Sequence, residues 1–261
     1  LDPGIIPEIV RKAFKVAQTE KPGASFVDFP ENVAGMQVDK RPIKVQRAYT
    51  SEAPQRKVDQ ATQLISAAKA RSSWQAMASS ARAPPMHERA DVVIWVGYDM
   101  AEYHPDMWNP NGDKTIIHID ALPAEIDERY VVAVGVLGDL QTSLRSIALD
   151  AKPWTASPFK AVRRAIVEDR AEFSRDTAFP IKPQKTVWDL REAMGPDDIA
   201  ISDVGAHKML MSRMYKAERA NTCIISNGFA AMGIALPGAI AAKIAYPDRK
   251  VVTVTGDAGF M

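Results

Sequence analysis

A run of β-branched residues leads into a glycine-flanked carboxylate near the end of the printed sequence. Residues 251–255 read Val-Val-Thr-Val-Thr, and Gly-Asp-Ala-Gly follows at 256–259. The run predicts a buried strand of a parallel sheet, because such strands are covered on both faces. Asp257 then lies at the carboxyl end of a strand, where open α/β sheets bind ligands. A carboxylate in that place is suited to hold Mg²⁺ against a phosphate.

Two earlier predicted strands also end in glycine turns. Ile-Ala-Ile-Ser-Asp-Val-Gly occupies 199–205 and Thr-Cys-Ile-Ile-Ser-Asn-Gly occupies 222–228. Glycine lets backbone N–H groups approach a ligand closely, and the starts of the following helices favour a diphosphate. A single turn of this kind is most often an ordinary connection. Three of them, with Asp257 in the last, favour a phosphate and metal site.

Hydrophobic periodicity predicts the remaining elements. Helices are expected at 7–19, 58–70, 138–147, 159–173, 207–216 and 229–246, and strands at 25–29, 90–97, 114–120 and 131–136. Asp139 is expected to cap its helix, and the helix at 229–246, without charge before Lys243, to be buried on most sides. Segments 41–55 and 151–158 are expected as linkers and 71–88 as a loop. The alternation predicts an α/β fold with parallel sheets.

Composition excludes several classes of protein. The chain has 261 residues, which suits one or two domains, and a net charge of +1, which gives no electrostatic basis for binding nucleic acid or an anionic membrane. Cys223 is the only cysteine, so no internal disulfide forms and a reducing, cytoplasmic location is expected. No apolar run approaches the ~20 residues of a membrane span. Both ends of the sequence are interpreted as cut.

Several segments together resemble the thiamin diphosphate (ThDP) enzyme family. Residues 255–260 resemble the start of its metal and diphosphate motif, and residues 203–207 an earlier turn that contacts the diphosphate. Residues 226–240 look like the segment before that motif in the acetolactate synthase branch. The central domain of catabolic-type acetolactate synthases is similar to 97–109 and 118–125, and the tail of the pyrimidine-binding domain to 21–33.

The resemblance implies α/β, parallel-sheet, doubly wound domains, of which this chain holds parts. Residues 1–40 would end the pyrimidine-binding domain, 41–150 form a shortened Rossmann-like central domain, 151–185 a linker and helix, and 186–261 the start of the diphosphate-binding domain. The glutamate that activates the cofactor is absent, so the catalytic residues stay unknown. The Gly-rich unit usual between residues 70 and 90 is also missing. Because the Gly-rich unit is missing, no FAD is expected. Its absence also indicates either a truncated variant or, as we favour, a sequence that joins separately ordered pieces of a longer enzyme.

The resemblance also assigns site residues. Asp257 would bind Mg²⁺, Met232 would support the bent cofactor, and His207 would stand near the diphosphate or substrate. The remaining cofactor-binding positions would be Gly205, Ala206, Asn227, Gly228, Gly256 and Ala258, the last in place of the family's commoner glycine.

For some of these residues, a purely structural role or no role remains an alternative. Met232 could be a core methionine, and His207 a helix-start histidine without a role. His104 and His118 are expected to be structural, and His87 has no arguable partner. No spacing among the histidines and the cysteine indicates a zinc site.

The implied reaction is the ThDP- and Mg²⁺-dependent decarboxylation of pyruvate and its ligation to a second pyruvate, giving 2-acetolactate and CO₂ in branched-chain amino acid or acetoin metabolism. Family sites form between two subunits, so a homodimer or homotetramer is implied. Alternatives are another ThDP-dependent 2-oxo-acid decarboxylase or carboligase, and a non-catalytic fragment, which an intact mass near 28.6 kDa would favour. A nucleotide-binding α/β protein is disfavoured because Gly-x-Gly-x-x-Gly is absent at the turns.

Overall fold

The computed structural model describes residues 2–19, 22–44, 51–68, 71–73, 90–98, 100, 104–125, 127–152, 160–227 and 229–261, with the backbone alone at 71–73 and 161–162. The chain forms two compact units. The first comprises 1–71, 91–98 and 112–153, and the second 72–90, 99–111 and 154–261. No helix in the described ranges has the length and apolar character needed to cross a membrane.

The first unit is built on a parallel sheet. Its helices are α1 (Ile6–Gln18), α2 (Glu31–Ala34), α3 (Gln55–Ala67) and α4 (Leu140–Asp150). The sheet has the order β1-β2-β3-β4, with β1 (Arg71–Ser73), β2 (Val92–Val96), β3 (Thr115–Asp120) and β4 (Val132–Leu137), of which β2, β3 and β4 lie wholly within this unit. β3 pairs in parallel with both β2 and β4.

Helices α3 and α4 cover one face of this sheet. The shared core consists of Val58, Ala61, Ile65, Val92, Ile117, Ile119, Val134, Val136 and Ile147. Each large aliphatic side chain buried there contributes about 1.5–3 kcal/mol. The start of α4 is set by Asp139, whose Oδ1 accepts from the N–H of Thr142 at 2.7 Å, which confirms the predicted cap.

Aromatic side chains gather around β2 and β3. The ring of Trp95 stacks on Tyr98 at 4.1 Å between centroids, and Tyr98 stacks on Tyr130 at 5.0 Å. His118 is buried, with Nδ1 3.0 Å from the Tyr130 hydroxyl and Nε2 3.1 Å from the carbonyl oxygen of Leu122. Burial raises the pKa of Tyr130. Both ring nitrogens of His118 are thus engaged within the unit, which agrees with its predicted structural role.

The second unit carries helices on both faces of a second parallel sheet. The helices are α5 (Lys160–Ala171), α6 (Pro183–Ala193), α7 (Ala206–Met214), α8 (Ala235–Ala245) and the single turn α9 (Asp257–Phe260). The strands are β5 (Ile199–Ser202), β6 (Cys223–Ile225) and β7 (Val251–Val254), in the order β6-β5-β7 with β5 parallel to both neighbours. Short 3-10 turns occupy Pro105–Met107 and Glu172–Arg175.

Alternate residues of β5 face two different cores. Ala200 packs in a cluster with Val187, Met194, Met211, Met214 and Tyr215, which includes residues of α6 and α7. Ile199 and Ile201 pack with Ala235 of α8 on the other side. Helices on both faces of a parallel sheet form the doubly wound α/β arrangement expected from the sequence.

Most predicted elements are confirmed, with ends that shift by a few residues, and three expectations are wrong. Residues 25–29 form no strand: Phe26 is 93% exposed, and no strand of the described chain pairs with the segment. Helix α8 begins at Ala235, because the backbone from 229 to 234 forms turns instead. α8 also exposes Leu236, Ile240 and Ile244, so it is not buried on most sides. Helix α6 was not predicted.

The expected linkers are partly described. Residues 41–44, 51–54 and 151–152 lie outside regular helices and strands, while 45–50 and 153–158 are outside the described residues. The expected loop at 71–88 begins with β1, and 74–88 lies outside the described residues, as does His87.

Gly138 closely approaches the backbone of residues 51–53, and its replacement by alanine should destabilise the protein. A Cβ there would clash with the backbone nitrogen of Ala53, and φ is +156°. We expect Gly138→Ala to lower the free energy of unfolding by about 1–3 kcal/mol or more, measured by denaturant titration. Gly35→Ala is the control, because a Cβ at Gly35 meets nothing within 4 Å. Equal stability of the two variants would contradict the close approach.

Candidate functional site

The carboxyl ends of β5, β6 and β7 lie at one edge of the second sheet, because the three strands are parallel neighbours. The turn after β5 contains Asp203 and Gly205, the segment after β6 runs from 226 to 234, and the turn after β7 contains Gly256. The crevice at this edge is the place where open α/β sheets bind ligands. Hydrogen bonds and close contacts between the three turns define the site.

Asp203 is fully buried at this edge, immediately after β5. Its Oδ1 accepts from the N–H of Val204 at 2.7 Å and of Gly233 at 2.9 Å. Its Oδ2 accepts from Gly233 and from Ala235, both at 3.1 Å. Burial alone would raise the pKa of this carboxyl, but the three N–H donors and the nearby His207 outweigh burial and lower the pKa below its ordinary value. The side chain is therefore an ionised buried carboxylate at neutral pH.

The end of β7 and the turn after it also meet Asp203. The backbone N–H of Asp203 donates to the carbonyl of Val254 at 2.9 Å. A Cβ built on Gly259 would lie 3.0 Å from the carboxyl carbon of Asp203 and 3.1 Å from each of its oxygens. Glycine at 259 therefore leaves the room that the Asp203 carboxylate occupies. Sequence reasoning did not single out Asp203, although an acidic residue directly after a buried strand was an available signal.

His207 lies between the turns after β5 and β7. A Cβ on Gly205, where φ is +150°, would lie 2.9 Å from the Cε1 atom of His207, and a Cβ on Gly256 would lie 3.7 Å from the same atom. The Nε2 atom of His207 is buried and has no hydrogen-bond partner among the described residues. A buried polar atom without a partner calls for an explanation such as a ligand. The absence of side chains at the two glycines leaves the room that the ring itself occupies.

Asp257 is the exposed first residue of α9, and its Oδ1 accepts from the N–H of Ala258 at 2.9 Å. In the part of the chain that the structure describes, no three His, Cys, Asp or Glu residues cluster as a metal site. A single carboxylate still suits Mg²⁺, which takes one or two protein carboxylates and completes its coordination with phosphate oxygens and water.

The sequence-predicted site residues are partly brought together. Gly205 and Gly256 flank the ring of His207, and Ala206, Asp257 and Ala258 continue the same two turns. Asn227 is exposed after β6, and Gly228 is outside the described residues. Met232 is 67% exposed, so the alternative of a core methionine is wrong.

The start of α8 does not match the expectation for a diphosphate-binding helix. Helix N-termini bind anions because their first N–H groups lack partners within the helix. At α8 the N–H of Ala235 already donates to Asp203, as does Gly233 just before the helix. The Asp203 carboxylate of the chain itself thus accepts the hydrogen bonds that an external anion would accept at the start of α8. At the start of α7 no side chain of the described residues caps the helix, which leaves that start for an external anion.

Comparison with known proteins decides the family. Residues 61–147 match the family model of the thiamine pyrophosphate enzyme central domain. Residues 203–261, which contain the site, match that of the thiamine pyrophosphate enzyme C-terminal TPP binding domain. The chain belongs to the ThDP-dependent enzyme family. The resemblance noted from the sequence is thereby confirmed.

Several members of the ThDP family are similar to this chain. An acetolactate synthase of Bacillus subtilis is 37% identical over 182 residues, which are 67% of this chain and 31% of that protein. A catabolic acetolactate synthase of Raoultella terrigena is 28% identical over 311 residues, covering 98% of this chain and 55% of that protein. A pyruvate oxidase of Lactiplantibacillus plantarum is 32% identical over 183 residues, 66% of this chain and 29% of that protein.

The chain spans only 31% to 55% of the length of the two acetolactate synthases. The alignment with the Raoultella protein is also longer than the 261 residues of the chain, so that protein has residues without a counterpart here.

The residues at this edge fit the family's cofactor. Three features suit a diphosphate with a divalent cation: the buried Nε2 of His207, which no described residue binds, the side-chain-free turns at Gly205 and Gly256, and the exposed carboxylate of Asp257.

Alanine at position 205 should strain this site. The φ of +150° and the 2.9 Å approach to the His207 ring both disfavour a side chain. We expect Gly205→Ala to lower the free energy of unfolding by about 1–3 kcal/mol and to shift the His207 ring signals in an NMR spectrum. Gly238→Ala in α8 is the control: its Cβ meets Ile201 at an ordinary 3.7 Å. That variant should gain up to about 1 kcal/mol. Unchanged His207 signals in Gly205→Ala would contradict the packing described.

Proposed function

We propose that the protein is a ThDP- and Mg²⁺-dependent acetolactate synthase. It decarboxylates pyruvate and ligates the remaining two-carbon unit to a second pyruvate, giving 2-acetolactate and CO₂. The observation that carries this proposal is the meeting of the Gly205 and Gly256 turns around His207, whose Nε2 has no hydrogen-bond partner among the described residues, with Asp257 in the second turn. The similarity to two proteins named acetolactate synthase supports this reaction within the family.

Each site residue has a role in this proposal. Asp257 holds Mg²⁺, and the backbone of Gly256 and Ala258 lies near the diphosphate. The start of α7, at Gly205 and Ala206, directs N–H groups toward the same phosphates.

His207 uses its Nε2 for the diphosphate or the substrate, since that nitrogen has no partner among the described residues. Asn227, Gly228 and the exposed Met232 support the rest of the cofactor. ThDP, when bound, supplies the electron-accepting ring that the decarboxylation of a 2-oxo acid requires. The chain's own residues bind and orient it, and no catalytic residue of this chain is assigned.

The proposed domain division follows the sequence analysis. Residues 1–40 end a pyrimidine-binding domain, 41–150 form the central domain, 151–185 a linker and helix, and 186–261 begin the diphosphate-binding domain. The two family matches, at 61–147 and 203–261, fall within the second and fourth of these segments. We assign the protein to the cytoplasm, with a 2-oxo acid as its substrate and without FAD, nucleic acid or membrane among its partners.

Removal of the Asp257 carboxylate tests the proposed site. We expect Asp257→Ala to raise the dissociation constant of ThDP at saturating Mg²⁺ at least tenfold and to abolish pyruvate turnover, because Mg²⁺ loses its protein ligand. Calorimetric titration and an acetolactate assay on the full-length protein measure these effects. Asp248→Ala is the matched control, since Asp248 is an exposed carboxylate just before β7, whereas Asp257 follows that strand.

The same assay separates the alternatives. A wild-type protein that binds ThDP but forms an aldehyde or acyl product from pyruvate is another member of the family. A protein that binds no ThDP in the presence of Mg²⁺ is non-catalytic, and the proposal is then wrong.

We propose that the protein forms a homodimer or homotetramer, with α8 in the contact between copies. Leu236, Ile240 and Ile244 follow each other at intervals of four residues and form an exposed apolar stripe on this helix. A stripe of this kind on a soluble helix is typical of a protein interface. A second copy is the partner because family sites form between subunits.

A charge in this stripe should weaken the assembly. Ile244 is 78% exposed, and we expect Ile244→Glu to shift the protein toward monomers in analytical ultracentrifugation. Leu149→Glu is the control, because Leu149 is an apolar side chain of α4 with 84% exposure and lies outside the α8 stripe. Identical sedimentation of both variants and the wild type would remove α8 from the proposed interface.

A further inference from the structure

The Asp203 carboxylate joins segments that are far apart in the sequence. Its donors Gly233 and Ala235 lie 30 and 32 residues farther along the chain, on the connection between β6 and α8. Its own N–H donates to Val254 of β7. One residue therefore joins the turn after β5, the segment before α8 and the end of strand β7.

The burial of the Asp203 carboxylate has to be compensated by hydrogen bonds. An ionised carboxylate is costly to bury unless hydrogen bonds replace the lost water. Within the described part of the chain, the donors to Asp203 are the backbone N–H groups of Val204, Gly233 and Ala235. Backbone donors have fixed positions, so the carboxylate in turn determines where the chain before α8 lies. Met232 is the residue next to one of these donors.

The surroundings leave the carboxylate little room to move. The backbone of Gly259 lies against the Asp203 carboxylate. A Cβ added at Gly259 would be 3.0 Å from the carboxyl carbon of Asp203. Gly259 belongs to the same short turn as Asp257. A displacement of Asp203 would therefore disturb the turn that carries the proposed Mg²⁺ ligand.

We propose that Asp203 is a positioning residue of the cofactor site, which sets the turn of Asp257 and the segment of Met232 against the turn of Gly205. The inference rests on the proposed ThDP site. Asp203 itself contacts no cofactor, because its oxygens are occupied by the backbone donors of the chain. It acts by aligning the groups that do.

The same strand offers a matched comparison residue. Asp198 lies just before β5, at the opposite end from Asp203, and accepts from the N–H of Gly195 at 2.7 Å and of Lys250 at 2.9 Å. A Cβ on Gly195 would lie 3.2 Å from its Oδ2. Asp198 thus also fixes backbone with a carboxylate, but at the edge of the sheet away from the site.

Asp203→Asn and Asp198→Asn in the full-length protein test the inference. Both lose acceptor capacity and are expected to lower the melting temperature of the cofactor-free protein. Only Asp203→Asn should raise the dissociation constant of ThDP at saturating Mg²⁺, by at least tenfold, which is about 1.4 kcal/mol. The Asp198→Asn value should stay within about twofold of the wild type. Hydrogen exchange of the Gly233 and Ala235 amides should accelerate in Asp203→Asn alone.

The outcomes separate this inference from the proposed function. If the wild type binds ThDP and Asp203→Asn binds it equally well, or if both variants weaken binding equally, Asp203 is not a positioning residue. If the wild type binds no ThDP, the proposed function is wrong and this inference falls with it.

Should Asp203→Asn not fold, Gly259→Ala with Gly195→Ala as its control gives the same comparison. Each adds a methyl group against one of the two carboxylates. Weaker ThDP binding in Gly259→Ala alone supports the inference, and equal binding in both variants overturns it.

Discussion

The parallel pairing of β5 with both β6 and β7 is the constraint on which the rest of the second unit depends. All four residues of β5 are buried between helices on two faces, so the strand cannot slide without exposing apolar side chains. Parallel neighbours end at the same edge. Turns that are tens of residues apart in sequence are therefore brought together there, and this edge is where the family match, the glycine turns and Asp257 coincide.

Electrostatics at this edge presents a problem that the fold resolves with backbone groups. A buried carboxylate at Asp203 would repel an anionic ligand if its charge were unbalanced. Here three N–H donors and the neighbouring His207 offset that charge and keep the pKa low. The N–H of Ala235 at the start of α8 thereby binds the Asp203 carboxylate instead of a ligand. The start of α7 and the ring of His207 are left for an external one.

Sequence reasoning succeeded where the physical signal is local. Short apolar segments rich in β-branched residues form β2 to β7, and Asp139 caps α4 because capping depends on residues three positions apart. It failed at residues 25–29 and at α8. Alternation does not form a strand without a neighbouring strand to pair with, and an uncharged helix need not be buried within its own chain. The role of Asp203 was missed because its partners lie 30 and 32 residues away.

The sequence by itself determined the alternation of strands and helices, the family, and the residues that follow each strand of the second unit. It did so because strand patterns, turns and family motifs are encoded in short stretches of residues. Only the tertiary structure decided that Gly205 and Gly256 flank one histidine ring and that Gly259 makes room for a buried carboxylate. Such contacts depend on the order of strands in the sheet, which no local pattern specifies.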